Sequence, residues 1–90
     1  MNLDEIIKEK NALGALVIRK DGYPVTVKLP PNLHTETLSI MIATVYGAAY
    51  TSTTHIKNEI PTRITIETDS LLIEISPIEE NRILAVITEK

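Results

Sequence analysis

Hydrophobic residues recur with two different periods along the chain, and each period predicts a different kind of element. At the start, Leu3, Ile6 and Ile7 share one face of a short helix, with Asn2 as its N-cap and its end near Asn11. Residues 34–57 show the same helical spacing over a longer stretch. Short apolar runs predict strands at residues 14–20, 23–27, 62–68, 71–76 and 82–88. The predicted order of elements is therefore α-β-β-α-β-β-β.

Turn residues between the strands indicate how neighbouring strands connect. Asp21 and Gly22 predict a two-residue hairpin turn, because both residue types tolerate a positive φ angle. Pro24 follows closely, and its missing N–H places the second strand at an edge of the sheet. Further turns and loops are expected at residues 28–33, 69–70 and 78–81.

The two faces of each strand indicate where that strand lies in the sheet. In the first strand, Leu16 and Ile18 alternate with Ala15 and Val17, so both faces are apolar. The last strand is also apolar on both faces, whereas the third and fourth strands carry polar residues on one face. We therefore predict an α/β (α+β) fold with a five-stranded antiparallel sheet. The first and last strands lie inside it, and the second and third form its edges. The long helix covers one face of the sheet, and the short N-terminal helix covers the other.

The long helix is apolar on more than one side. At about 100° per residue, one stripe is expected to face the sheet; it contains Leu38, Ile42, Val45, Ala49 and Ile56. A second set lies beside or away from that stripe and consists of Ile40, Ala43, Tyr46, Gly47 and Tyr50. Glycine inside a helix costs about 1 kcal/mol relative to alanine, and the close approach of another backbone would explain it.

The third strand has the character of a pairing edge. It is rich in β-branched residues and contains neither proline nor lysine, which are common protective devices at sheet edges. The alternative is that Arg63 and Glu67 alone protect it. We predict a two-fold dimer in which third strands pair antiparallel around Thr65, so that Arg63 faces Glu67 of the partner subunit, and the long helices lie side by side. The predicted interface consists of Ala43, Tyr46, Gly47, Tyr50, Arg63, Ile64, Thr65, Ile66 and Glu67.

Composition narrows the classes of function. Ninety residues are expected to form one domain, residues 1–90, and pairing would bury more apolar surface than so short a chain can bury alone. The net charge is −3 and the basic residues are scattered, which argues against nucleic-acid binding. The uncharged segment 37–54 contains too many hydroxyl residues for membrane insertion, and the N-terminus lacks the features of a signal peptide. Absence of cysteine fits a reducing compartment, and we expect a cytoplasmic protein.

The sequence contains no constellation that predicts catalysis. His34 and His55 lie at opposite ends of the long helix, roughly 30 Å apart, too far to share a metal ion or a catalytic triad. The only glycines are Gly14, Gly22 and Gly47, which form no phosphate-binding loop. We therefore expect no enzyme activity, no metal site and no cofactor.

Four segments together resemble a known family. They are GALVIRKDGYPV at 14–25, NLHTETLSIMIATVYGAA at 32–49, ITIETDSLLIEISPI at 64–78 and RILAVIT at 82–88. In their order, with the hairpin glycine and the methionine and glycine of the long helix, they resemble a Roadblock/LC7 domain. The resemblance covers nearly the whole chain and is nearest to the short archaeal and bacterial forms.

The resemblance implies a profilin-like architecture that forms dimers with a continuous ten-stranded sheet and paired central helices. It also implies a non-catalytic regulator or scaffold of a small Ras-like GTPase or another NTPase. We expect the partner to bind the exposed top of the paired helices, at Glu36, Ile40, Thr44, Thr51 and His55. The sequence ends at Lys90, where the fuller family pattern has a further helix, so Leu72, Leu84 and Val86 are candidates for contacts in a dimer of dimers.

Two other functions remain open from the sequence. One is a structural module whose whole role is oligomerisation, without a GTPase partner. The other is a small-ligand sensor or enzyme that uses a cavity between the sheet and the long helix.

Overall fold

The computed structural model describes residues 1–79 and 81–90 and contains two helices and five strands in the predicted order. The elements are α1 (Leu3–Lys10), β1 (Gly14–Arg19), β2 (Pro24–Lys28), α2 (Thr35–Lys57), β3 (Ile64–Glu67), β4 (Leu71–Glu79) and β5 (Arg82–Glu89). All strand pairs are antiparallel, and the strand order is β2-β1-β5-β4-β3. The predicted fold class, central strands and edge strands are therefore confirmed.

Helix α1 begins and ends as its sequence predicts. The Asn2 side chain accepts hydrogen bonds from the N–H groups of Asp4 and Glu5 at 3.0 and 3.3 Å, which satisfies two free donors of the first turn. Asn11 ends the helix with a left-handed φ of 52°. Leu3 is buried and anchors α1 against the sheet.

The sheet is buried on both faces at its centre, as predicted. On the α2 side, the core contains Leu16, Ile18, Ile42, Tyr46, Ile75, Ile83, Ala85 and Ile87. On the α1 side, it contains Leu3, Ala15, Val17 and Val86. The alternation of side chains along β1 and β5 thus supplies two separate cores from the same two strands.

The hairpin between β1 and β2 differs from the predicted two-residue turn. Only Gly22 has a positive φ, at 96°, whereas Asp21 is not among the residues with positive φ. The N–H of Gly22 donates to the carbonyl of Arg19 at 2.9 Å, and the N–H of Arg19 donates to Tyr23 at 2.8 Å. The connection is therefore a three-residue loop with glycine at its last position, which is the next most common hairpin after the two-residue type.

Strand β4 is longer than predicted. It extends to Glu79, so the turn expected at residues 78–81 is wrong at its first two positions, and Glu80 lies outside the described residues. The strand tolerates Pro77 because β3 begins at Ile64, opposite Ile75. Pro77 therefore lies beyond the end of β3, where its missing N–H leaves no bond to that strand unmade.

Helix α2 contains many hydroxyl residues that bond within the helix. The Thr44, Ser52 and Thr54 hydroxyls donate to backbone carbonyls four residues earlier, at 2.8, 2.8 and 2.7 Å. These bonds satisfy the hydroxyls locally, so the uncharged segment is compatible with a helix on a protein surface. No helix among the described residues combines the length and apolar character needed to span a membrane.

The face of α2 that contacts the sheet includes Leu38, Ile42 and Val45 of the predicted stripe but is rotated toward Ser39 and Tyr46. Its buried residues are Ser39, Ile42 and Tyr46, so the prediction that Tyr46 lies beside or away from the sheet is wrong. Ile56 is 79% exposed, so its predicted contact with the sheet is also wrong. The side of α2 that contains Ser39 and Tyr46 packs on the sheet, and no residue of α2 after Tyr46 is buried.

Candidate protein–protein interface

The second half of α2 and the connection to β3 expose apolar side chains. Tyr50, Ile56 and Ile60 are 41%, 79% and 60% exposed. Pro61 is buried and fixes the connection just before β3. Tyr50 and Ile56 lie about 120° apart around α2, so they are separate candidates for contact with another protein and do not form one contiguous patch.

Gly47 lies in the middle of α2 and has open space around it. A Cβ atom added there would meet no atom of the described residues within 4 Å outside its own helical surroundings. Packing within the chain therefore gives no reason for glycine, although glycine lowers helix stability by about 1 kcal/mol relative to alanine. The site leaves room for another backbone to approach α2 closely.

Strand β3 has one unpaired edge among the described residues. The N–H of Thr68 donates to Leu71 on the β4 side at 2.9 Å. Because N–H directions alternate along an antiparallel strand, Ile64 and Ile66 also face β4, whereas Thr65 and Glu67 direct their backbone groups to the open edge. Ile64 and Ile66 pack on the core of the α2 side.

The charged residues at the ends of β3 already have partners within the chain. Arg63 lies 3.9 Å from the Glu74 carboxylate, and the Lys90 ammonium lies 2.5 Å from the Glu67 carboxylate. Lys90 also donates to the Thr68 carbonyl at 2.9 Å. The hydrogen bond and the charge of Lys90 hold the pKa of Glu67 below its ordinary value. The predicted pairing of Arg63 with Glu67 of the partner subunit stays a prediction, since it would have to share or replace these contacts.

The α2 residues of the predicted dimer interface are partly buried and partly exposed. Tyr46 is 2% exposed, which removes its ring from the predicted accessible interface. Burial, followed by the neighbouring Tyr50, raises the pKa of Tyr46 above its ordinary value. Ala43 is half-buried and would lie 3.7 Å from a side chain at Gly22. Gly47 and Tyr50 remain accessible.

The predicted partner-binding residues share one exposed side of α2 but spread along roughly 28 Å of the helix, and Glu36 and Ile40 lie at its flank beside the β1–β2 hairpin. All five are exposed, and at about 100° per residue they fall within an arc of roughly 100°; they are Glu36, Ile40, Thr44, Thr51 and His55. On the opposite sheet face, Leu72 and Leu84 are half-buried, but Val86 is 3% exposed beneath α1 and is not available for contacts between dimers.

Two small clefts flank the first half of α2. One of about 390 Å³ lies against the β1–β2 hairpin and is lined by Asp21, Gly22, Tyr23, Pro24, Glu36 and Ile40. The other, of about 180 Å³, is lined by Leu33, His34, Thr37, Leu38 and Met41. Within residues 1–79 and 81–90, no three histidine, cysteine or carboxylate side chains converge on a possible metal site.

Sequence reasoning missed Ile56 and Ile60 as interface candidates. A helix of 23 residues is roughly 35 Å long, whereas five strands span roughly 20 Å from the first to the last. Both lengths follow from the sequence. They indicate that one end of α2 can extend beyond the sheet while its other end packs on the sheet.

Two helices on opposite faces of an open, five-stranded antiparallel sheet define a Roadblock-type α/β fold. The family model described as Roadblock/LC7 domain matches residues 1–88, and the chain belongs to this family. This confirms the resemblance predicted from the four sequence segments.

Solved structures support the fold at low sequence identity. MglB from Myxococcus xanthus superposes with a TM-score of 0.90 at 17% identity, over 96% of this chain and 71% of that one. A structure described as MglB with a tetrameric arrangement gives 0.89 at 18% identity, over 97% and 67%. A Roadblock/LC7 domain from Streptomyces avermitilis gives 0.84 at 18% identity, over 97% and 74%. Among curated proteins, none matches the sequence significantly.

Proposed function

We propose that this chain is a non-catalytic, homodimeric regulator or scaffold that binds a small Ras-like GTPase, or another NTPase, through its paired central helices. Membership of the Roadblock/LC7 family, whose fold is one of adaptors and regulators, supports this proposal. The observation that carries it is that the chain leaves two neighbouring features uncovered. These are the apolar second half of α2 and the outer edge of β3, which residues 58–63 join directly.

Pairing of two β3 strands fits the backbone directions at the edge. Arg63, Thr65 and Glu67 are alternate residues. If the alternation continues past the start of β3, the backbone N–H and C=O groups of all three point to the open edge of the sheet. A two-fold axis at Thr65 then places Arg63 opposite Glu67 of the partner subunit twice, with roughly 0.2–1 kcal/mol from each pair. An axis at Ile64 or Ile66 would instead place Thr65 opposite one of the two charges. Charge pairing therefore favours the axis at Thr65.

The helices would pair through their second halves. Gly47 allows close approach, and Tyr50, about 60° from it around the helix, supplies exposed apolar surface beside it. Ile56 lies about 180° from Gly47 and, with Ile60, would be covered by a separate contact at the end of α2. Burying apolar area gains roughly 25 cal/mol per Å², so covering these side chains stabilises a dimer beyond the contribution of the strand edges. The tetrameric arrangement described for one MglB structure supports including a dimer of dimers, with Leu72 and Leu84 at the second contact.

The partner would bind the arc of Glu36, Ile40, Thr44, Thr51 and His55 on the outer side of α2. Such a surface acts by binding one conformation of the partner's mobile loops better than another, which shifts an existing equilibrium without chemistry in this chain. We place this function in the cytoplasm, in keeping with the absence of cysteine.

Co-purification tests the GTPase part of the proposal. The tagged chain is used to capture proteins from its source cells, beside a Thr51→Arg variant that keeps the fold but alters the outer arc of α2. We expect the wild type to recover a Ras-like GTPase or another NTPase and the variant to recover much less. Recovery of no NTPase, or equal recovery by both proteins, would contradict binding through this surface.

A purely structural module is the second candidate. The half-buried Leu72 and Leu84 on the α1 side of the sheet favour it, because they offer a second apolar contact without any NTPase. Light scattering that shows growth beyond a dimer with concentration, together with no NTPase in the capture experiment, would favour this candidate over the first.

A further inference from the structure

The cleft of about 390 Å³ beside the β1–β2 hairpin lies away from the β3 part of the proposed dimer interface. It is formed by the loop between β1 and β2 and by the first half of α2, whereas β3 is at the opposite edge of the sheet. A molecule bound in this cleft would therefore not compete with the pairing of two β3 strands.

The hairpin that forms one wall is held in place by its own residues. Gly22 is buried with a φ of 96°, and a Cβ atom there would lie 3.3 Å from Cα of Ile40, so a side chain would be strained and would push the loop and α2 apart by a few tenths of an ångström. The Asp21 carboxylate accepts hydrogen bonds from the Arg19 guanidinium at 2.7 Å and from the Tyr23 N–H at 3.2 Å. These contacts fix the position of Tyr23 relative to the helix.

The walls of the cleft are apolar and accessible. Tyr23 is 65% exposed, Ile40 is 58% exposed, and Pro24 is the first residue of β2. An aromatic ring and aliphatic groups on the same small cleft can hold the hydrocarbon stem of a long side chain. The Tyr23 ring face can additionally attract a cation.

The charges that line the cleft are negative and incompletely balanced. Its lining contains the carboxylates of Asp21 and Glu36 and no lysine or arginine among the described residues. Asp21 is paired with Arg19. Glu36 forms no ion pair within residues 1–79 and 81–90, so its negative charge is left for a partner.

We propose that this cleft binds an arginine or lysine side chain presented by a partner protein next to an apolar residue. The stem lies against Ile40, Pro24 and the Tyr23 ring, and the cationic group contacts Glu36. The chain's own Arg19 illustrates this chemistry, because its guanidinium lies 5.7 Å from the centre of the Tyr23 ring while it bonds Asp21. Arginine is favoured over lysine, since its planar group both stacks on rings and bonds carboxylates in pairs.

The cleft shares Glu36 and Ile40 with the surface proposed for the NTPase, but the inference does not depend on dimer formation or on which protein supplies the basic side chain. A partner protein suits the cleft better than a free metabolite, because a wall of exposed side chains on a hairpin and a single helix encloses little of a small ligand. Failure of the capture experiment would leave the binding of a basic side chain untouched, and failure of the binding test below would leave the dimer untouched.

The test uses three blocked peptides as probes: acetyl-Leu-Arg-Leu-amide, acetyl-Leu-Gln-Leu-amide and acetyl-Leu-Glu-Leu-amide. Each is titrated into the ¹⁵N-labelled full chain while the amide signals of Gly22, Tyr23 and Ile40 are followed by NMR. We expect saturable shifts of these signals with the arginine peptide, at a dissociation constant of about 1–5 mM. The glutamine peptide should bind several-fold more weakly, and the glutamate peptide should cause no saturable shift.

Variants locate the binding. Glu36→Gln should weaken the arginine peptide about threefold, as expected for an exposed ion pair. Tyr23→Ala should weaken it about threefold as well. Glu59→Gln, which changes an exposed carboxylate just past the other end of α2, should leave binding unchanged. Equal binding of the arginine and glutamine peptides, or an unchanged affinity in Glu36→Gln, would overturn the cationic preference. No saturable shift of the cleft signals up to about 10 mM peptide would overturn the site itself.

Discussion

Two hydroxyl groups in the core of the α2 side have no hydrogen-bond partner among the described residues. They are Ser39 Oγ and the Tyr46 hydroxyl, and both residues are almost fully buried. A buried hydroxyl without a partner costs about 1–3 kcal/mol. The ring of Tyr46 nevertheless packs well, with the Lys20 ammonium 5.7 Å from its centre. The aromatic ring, and not its hydroxyl, is therefore the stabilising part of this residue.

Tyr46→Phe tests this interpretation. It keeps the ring and removes the unpaired hydroxyl, so the free energy of unfolding in urea should rise by about 1 kcal/mol. Tyr23→Phe is the matched control at an exposed position and should change stability by less than about 0.5 kcal/mol. A loss of stability in Tyr46→Phe would mean that the hydroxyl has a hydrogen-bond partner, which would contradict this interpretation.

The ion pair between Glu67 and Lys90 gives a pH-dependent prediction. Lys90 lowers the pKa of Glu67 in the folded chain, so this contact stabilises the fold above the unfolded pKa of glutamate and is lost as pH falls through the lower, folded pKa. In Lys90→Gln, the pKa of Glu67 should rise toward its ordinary value, which carboxyl NMR titration measures. Lys57→Gln, at the end of α2, should leave it unchanged. An unaltered Glu67 titration in Lys90→Gln would contradict the contact.

At the scale of elements, the sequence predicts the extent of α2 better than its orientation on the sheet. The limits of α2 agree with the prediction within one residue, because His34 and Asn58 flank a continuous helical pattern. The face that contacts the sheet was misjudged, because a tyrosine and a serine have polar groups and do not stand out as core residues in a hydrophobicity pattern. Ser39 and Tyr46 are buried because they lie within about 60° of Ile42 around the helix, on the face that packs on the sheet, and periodicity alone does not select that face.

Gly47→Ala should stabilise the isolated subunit but weaken the dimer if another helix packs on α2 at this position. In the isolated subunit, alanine adds no contact within 4 Å and should raise the free energy of unfolding by about 1 kcal/mol through helix propensity. If another helix packs on Gly47, the same change should weaken the dimer, measured as a higher dissociation constant in sedimentation equilibrium. Ala48→Gly, the reverse change at an adjacent exposed position, serves as the control for propensity. A more stable subunit with unchanged dimer affinity would contradict close helix packing at Gly47.

At the scale of the whole molecule, the strand order follows from the sequence because burial on both faces distinguishes central from edge strands. The two edges are unlike. Strand β2 carries Pro24 and a register irregularity opposite Ile18, which hinder pairing, whereas β3 has neither feature. What the sequence of one chain does not determine is how two copies meet, since intrachain contacts of Arg63 and Glu67 satisfy the same charges as the predicted dimer.

A single cysteine tests the predicted register of β3–β3 pairing in the dimer. The chain has no cysteine, so Thr65→Cys introduces a unique thiol on the open edge. With the two-fold axis at Thr65, the two Cα atoms would be about 5.5 Å apart, within the range for a disulfide. Mild oxidation should therefore yield a covalent dimer on a non-reducing gel. Thr26→Cys on the exposed β2 edge is the control and should remain largely uncrosslinked. Equal crosslinking of both variants would contradict the β3 pairing.

The mass of the protein in solution tests the central proposal most directly. Sedimentation equilibrium at micromolar concentration should give about twice the chain mass of 10.0 kDa, or a multiple of that dimer. A dimer is expected because the apolar end of α2 and the edge of β3 both lack cover in one chain. A stable species of 10.0 kDa across the micromolar range would contradict it, and the chain would keep its Roadblock fold without the assembly on which the proposed function rests.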